Sequence, residues 1–219
     1  MKLKNVDLCS GVLPSHMKVN IYEEYARCVL AWLDPPVYSS LVISDKPDLI
    51  DNSNSLGVEV TIAIHKDDIE GDKLFQKYCE NANKKGKEKL EKRLHQLGMT
   101  VSDYSCVHPV RKDDFSLIQQ SYRNKLHLLN NGGYFACKEN HLFIMSDILA
   151  DKLMLKEALL DFKEVLTDDL IPFKRVIIAV PGFIYIFDLS LNDCHMVEFD
   201  NEKQFQLAMQ AREHVLEYE

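Results

Sequence analysis

The 219-residue chain predicts a single α/β domain spanning residues 1–219, on three observations. Helical and strand periodicities alternate along it, 46% of its residues are apolar, and no repeat, linker or low-complexity stretch divides it. A run of about 18 apolar residues, the length a membrane span needs, is missing, and Met1–Asp7 lacks the apolar core of a secretory signal. The expected setting is therefore cytoplasmic, without membrane association. The six cysteines are scattered with no Cys-x-x-Cys pair, so neither a zinc ribbon nor a disulfide framework is suggested, and they read as reduced, mostly buried small side chains.

The elements follow in order. Tyr22, Tyr25, Ala26, Val29, Leu30 and Leu33 gather on one side at helical spacing, so residues 20–33 read as a helix that Pro35-Pro36 stops. Strands are expected at 38–43, 46–50 and 57–64, the last rich in β-branched residues. The turn composition of Asp51-Asn52-Ser53-Asn54-Ser55 makes the second and third of these a hairpin. A long helical region from 68 to 97, interrupted near Gly86, precedes a strand at 101–107. Downstream come a helix at 113–130 ended by Asn131-Gly132-Gly133, a strand at 141–145 and a helix at 147–165. Strands at 175–180, 183–189 and 195–199 and an amphipathic helix at 201–217 complete the chain.

Two acids carry the candidate chemistry. Lys46-Pro47-Asp48 sets a carboxylate at the end of one strand, and Gly57-Val58-Glu59-Val60-Thr61 sets a second inside the next. Side chains alternate along a strand, so Glu59 and Thr61 share the face opposite Val58, Val60 and Ile62. A carboxylate on so apolar a strand is costly to bury unless it is paired or bound to a cation. A hard divalent ion takes oxygen ligands from one or two carboxylates and fills its shell with water and phosphate, a demand that Asp48 and Glu59 meet.

This spacing, with the order helix, three strands, helix, resembles the PD-(D/E)XK (restriction-endonuclease-like) nucleases over roughly residues 18–130. The strand at 101–107 is read as the next core element and the later strands and helix as C-terminal additions. The resemblance implies a mixed central sheet flanked by helices and metal-dependent hydrolysis of nucleic-acid phosphodiesters, DNA first. It implies Mg²⁺ or Mn²⁺ held by Asp48, Glu59 and the carbonyl of Val60, and a possible homodimer. The family's usual lysine two residues after the second acid is here Thr61, which can hydrogen-bond water but carries no charge.

A replacement cation is therefore sought on a neighbouring helix. In the helix at 113–130 the apolar stripe runs Phe115, Ile118, Tyr122, Leu126, Leu129, and Lys125 falls beside it, its stem on the inner side. Lys125 is the leading candidate, and Lys73 and Lys77 on the helix after the motif strand are the others. Glu23, nearer the apolar border of the first helix than Glu24, is the candidate third acid.

Other chemistries leave less trace. There is no Gly-x-Ser-x-Gly elbow, no phosphate-binding Gly-rich loop followed by Lys, and no His-x-x-x-His pair. The net charge of −8 argues against a protein that coats nucleic acid through a broad basic surface, though not against a local groove. The one basic concentration, residues 84–93, reads first as the solvated face of a helix with interspersed acids and second as a phosphate-binding face. The competing class is a nuclease-fold protein that binds protein or nucleic acid without catalysis.

Overall fold

The computed structural model describes residues 18–81, 83–102, 105–109, 114–133 and 137–218. In chain order the elements are α1 (Ile21–Leu33), α2 (Pro35–Tyr38), β1 (Leu41–Ile43), β2 (Leu49–Asp51), β3 (Leu56–Ala63), α3 (Lys66–Glu80) and α4 (Lys84–Gln96). There follow β4 (Thr100–Val101), β5 (Cys106–Val107), α5 (Ser116–Asn131), β6 (Glu139–Ser146) and α6 (Lys152–Glu164). The last four are β7 (Arg175–Val180), β8 (Gly182–Asp188), β9 (Asp193–Phe199) and α7 (Asn201–Glu217).

Seven strands form one mixed sheet in the order β1-β2-β3-β6-β7-β8-β9. The β1-β2-β3 end is antiparallel, β3, β6 and β7 run parallel, and β7-β8-β9 is antiparallel again. Alternation sorts the strand side chains onto two faces. On one, Leu142, Ile144, Val176 and Ile178 pack with Ile118, Tyr122 and Leu126 of α5 and Leu155, Leu159 and Phe162 of α6. On the other, Val58, Val60, Phe143, Met145, Ile177 and Ala179 pack with Ala26, Val29 and Leu30 of α1 and Leu207 and Ala211 of α7. The α/β class and helix-flanked mixed sheet are as expected, and no helix among the described residues is long and apolar enough to cross a membrane.

Several expectations are corrected. Tyr38 ends a short helix rather than opening a strand, since Pro35 and Pro36 stand at its first positions, where a missing N–H costs nothing. The long helical region breaks at Asn81–Asn83, not at Gly86: Asn83 caps α4 by accepting from the Lys85 N–H (3.0 Å), and Gly86 lies inside the helix. A Cβ on Gly86 would fall 2.5 Å from the Asn81 side chain, which explains the glycine there. The helix expected from 147 starts at Lys152, where Asp151 caps it.

The described residues of 101–107 do not join the main sheet; β4 and β5 pair antiparallel in a separate two-stranded sheet. The parallel neighbour of β3 is instead β6, seven of whose eight positions are buried, which suits a strand covered on both faces. Nor are the cysteines mostly buried: Cys28 is, Cys79 is exposed, Cys106, Cys137 and Cys194 are intermediate, and Cys9 lies outside the described residues.

Asp51 closes the β2-β3 hairpin. Its Oδ1 accepts from the N–H groups of Ser55 (2.6 Å) and Leu56 (2.9 Å), and its Oδ2 from the hydroxyls of Ser53 and Ser55. Burial acts to raise this carboxyl, but the hydrogen bonds outweigh it and hold the pKa at about 2.

Candidate functional site

Asp48 lies in the β1-β2 connection, one residue before β2, not on a strand as its sequence suggested. Its carbonyl accepts from the Ser44 N–H (2.9 Å), tying it to the β1 side. Its carboxylate turns to β3, where Oδ2 accepts from the Val60 N–H at 2.7 Å. The β2-β3 register ends at Leu49 opposite Val58, so Asp48 supplies a side-chain acceptor just where the main-chain ladder stops. The N–H and C=O of one strand residue face the same edge, so the Val60 carbonyl also faces the edge where β2 departs.

Close packing holds this turn in place. A Cβ on Gly57 would lie 2.8 Å from Cγ of Pro47 and 3.0 Å from Sγ of Cys137, so only glycine lets the Pro47 ring seat against β3. Glu59, two residues on, is 2% exposed and points to the α5 side of the sheet, away from Val58 and Val60.

Lys125 completes the cluster. Ile118, Tyr122, Leu126 and Leu129 bury the inner face of α5 against the sheet, and Lys125, at the border of that stripe, extends to β3. Its Nζ lies 2.6 Å from Glu59 Oε2 and 3.3 Å from Asp48 Oδ2. Burial alone would lower the pKa of this ammonium, but Glu59 and then Asp48 outweigh it, and the pKa is raised.

Glu23 of α1, half-buried, belongs to the same electrostatic neighbourhood. Burial and then Asp48 push its carboxyl up, with Glu59 acting the same way and Asn20 and Lys125 opposing. Three carboxylates against one ammonium leave a formal charge of −2, which one divalent cation would balance. Asp48, Glu59, Glu23 and the Val60 carbonyl offer oxygen atoms only, the chemistry that hard cations take, although the three carboxylates do not bring ligand atoms within 4.8 Å of one another.

The remaining sequence candidates stand apart. Thr61 is half-buried on the face of Glu59, but no hydrogen bond joins it to Asp48, Glu59 or Lys125 among the described residues. Lys73 and Lys77 are exposed on α3, and Lys77 lines a groove against α4 rather than approaching the acids.

Sequence reasoning missed a second cluster. Glu24 is fully buried, and its Oε1 is 2.5 Å from Arg27 Nη2 and 2.6 Å from His214 Nδ1 of α7. Burial would raise the Glu24 carboxyl, but its bonds to Arg27 and His214 prevail and its pKa is lowered. Ligand atoms of Glu24, Cys28 and His214 lie within 4.8 Å of one another, a grouping that could hold a metal ion. The Arg27 guanidinium already supplies a cation there, hydrogen-bonded to Glu24 and 3.1 Å from His214 Nδ1. No local signal pointed to it, since Glu24 stands farther from the apolar stripe of the first helix than Glu23, and its partner His214 is 190 residues away.

Comparison of the chain with protein-family models, with curated proteins and with solved structures returned no match.

Proposed function

We propose that the chain is a divergent restriction-endonuclease-like nuclease that hydrolyses nucleic-acid phosphodiester bonds with Mg²⁺ or Mn²⁺. The observation that carries this reading is the approach of Lys125 to both Asp48 and Glu59 at the point where β2 leaves β3. In that arrangement the cation missing at Thr61 reaches the two acids from α5. The strand order β1-β2-β3-β6, with β3 and β6 parallel, is in keeping with such a core extending to residue 146.

The division of labour follows from the side chains. Asp48, Glu59 and the Val60 carbonyl would hold the metal, with Glu23 as an outer ligand through water. When bound, the divalent ion supplies Lewis-acid polarisation of a phosphoryl oxygen and a more acidic bound water. Lys125, fixed by its carboxylate partners, stabilises the negative charge that grows on the phosphate, the part a preorganised donor plays best. Thr61 offers a hydroxyl on the same face to orient water.

The same ion cluster favours one other reading. An ammonium that bridges two carboxylates makes a structural pin, which would suit a nuclease-fold protein that binds its partner without cutting it. Metal dependence separates the two. Incubation of purified protein with labelled DNA and RNA, single- and double-stranded, in Mg²⁺, Mn²⁺ or EDTA should show cleavage only with metal, and none with Asp48→Ala. Intact substrates throughout would remove the nuclease reading.

A further inference from the structure

The connection from β3 to β6 carries more than a crossover helix. Among the described residues α5 packs on both β3 and β6, whereas α3 and α4 pack chiefly on each other, and α4 on β4, around their own small core of Tyr78, Leu94 and Met99. This appended module holds the basic run. Residues 84–93 carry six Lys or Arg against two Glu, a local charge of +4 in a chain of −8, so the remainder carries −12.

Lys85, Lys89 and Lys92 recur at i, i+4 and i+7, which places them in one row along α4. All three are exposed, and no ion pair engages them among the described residues. Of the acids nearby, Glu70 holds Arg93 at 2.7 Å and Glu91 faces His95 at 3.7 Å, while Glu88 stands within the row, three residues after Lys85 and four before Lys92, so the row carries a net +2. Beside the row runs a groove of ≈ 710 Å³ between α3 and α4, with Lys77, Lys89 and Arg93 on its walls over Leu74 and Leu90, and Glu80 at its rim. Lys89 belongs to both features.

We propose that this α3-α4 module is the arm that grips the phosphate backbone of nucleic acid, with Lys85, Lys89 and Lys92 as its contacts; the inference rests on the nucleic-acid reading of the Asp48 site. A helix rises about 1.5 Å per residue, so the row spans about 10.5 Å. One strand of a duplex presents a phosphate about every 3.4 Å along its axis, so the row matches a stretch of about three phosphates. The rest of the chain is net acidic, so concentrating lysines in the segment between β3 and α5 ties the grip to the two elements that carry Glu59 and Lys125. This reassigns the α4 face that the sequence alone attributes first to solvent.

Fluorescence anisotropy with labelled single-stranded and duplex DNA, in EDTA so that no cleavage occurs, tests the arm apart from the site. A triple Lys85→Glu, Lys89→Glu, Lys92→Glu variant should bind on the order of tenfold or more weakly at low salt. Its log–log salt slope should flatten by about 2–3, the value for three lost phosphate contacts. The triple Lys→Gln variant should show the same flattening with a smaller loss of affinity. Charge reversal at Lys18, Lys152 and Lys156, exposed lysines outside the module, should leave the slope unchanged.

Equal loss in that control, unchanged binding in both arm variants, or no binding by the wild type would overturn the proposal. So would equal competition by polyglutamate of matched length, which would make the partner an acidic polypeptide. Wild-type cleavage in Mg²⁺ with binding indifferent to the arm variants would discard the arm and keep the nuclease. Arm-dependent binding with no cleavage would keep the arm and discard the nuclease.

Discussion

Lys125 Nζ stands 2.6 Å from Glu59 Oε2, although the two residues are 66 positions apart and belong to α5 and β3. Glu59 is 2% exposed and the Lys125 side chain 19%, so each charge is tolerated in its place chiefly because the other is there.

Removing the cation should therefore separate stability from chemistry. Lys125→Ala is expected to cost about 3 kcal/mol of stability, the low end for breaking a buried ion pair, because Glu59 loses its counter-charge. Mg²⁺ should restore much of that loss, since a cation in the same cluster replaces the ammonium; thermal unfolding with and without 10 mM-scale metal reads both effects. Cleavage should fall by about two to three orders of magnitude even though metal affinity rises with the competing ammonium gone. Thr61→Lys in the Lys125→Ala background should recover part of it, because residue 61 lies on the face of Glu59.

Metal binding should depend on the two acids. Titration calorimetry with Mn²⁺ is expected to give a single site in the wild type and its loss in Asp48→Ala and Glu59→Ala. Equal affinity in all three proteins would remove the metal from this site.

The raised pKa of Glu23 sets a direction in pH. Burial and the neighbouring Asp48 raise its pKa above that of an ordinary glutamate, so an incoming cation competes with the proton over a range that reaches higher pH. Metal affinity should rise as pH climbs through the carboxylate range, with protons released. Glu23→Gln should flatten that dependence, which calorimetry in two buffers of different ionisation enthalpy measures.

The turn that carries Asp48 should be sensitive to one methyl group. Gly57→Ala puts a Cβ 2.8 Å from Pro47 Cγ, so the turn has to shift. A cost of about 1–3 kcal/mol is expected from overpacking, together with weaker Mn²⁺ binding, since Asp48 follows Pro47 directly.

The buried Glu24 should govern acid stability through the contact of α1 with α7. Its folded pKa lies below the ordinary glutamate value, so its contribution is complete above about pH 4.3 and is lost as pH falls through the folded value. Glu24→Gln should cost about 2 kcal/mol at neutral pH and reduce the loss of stability on acidification, as denaturant unfolding at pH 7 and pH 3.5 will show.

Local pattern and tertiary contact divide this protein cleanly. The elements lay open in the sequence because burial repeats with the period of the backbone: α1, β3, α5, β7 and α7 lie within a few residues of where the apolar spacing puts them. The same periodicity puts Glu59 and Thr61 on one strand face and Lys125 beside the α5 stripe. Partnership has no such local signature. That β6 rather than 101–107 pairs with β3 depends on which strand can be covered on both faces. That Asp48 takes the Val60 N–H depends on where β2 parts from β3. Glu24 shows the limit most plainly: the apolar stripe had its border at Glu23, and the structure buries Glu24 instead, because Arg27 and, from the far end of the chain, His214 satisfy a charge that no nearby pattern could account for.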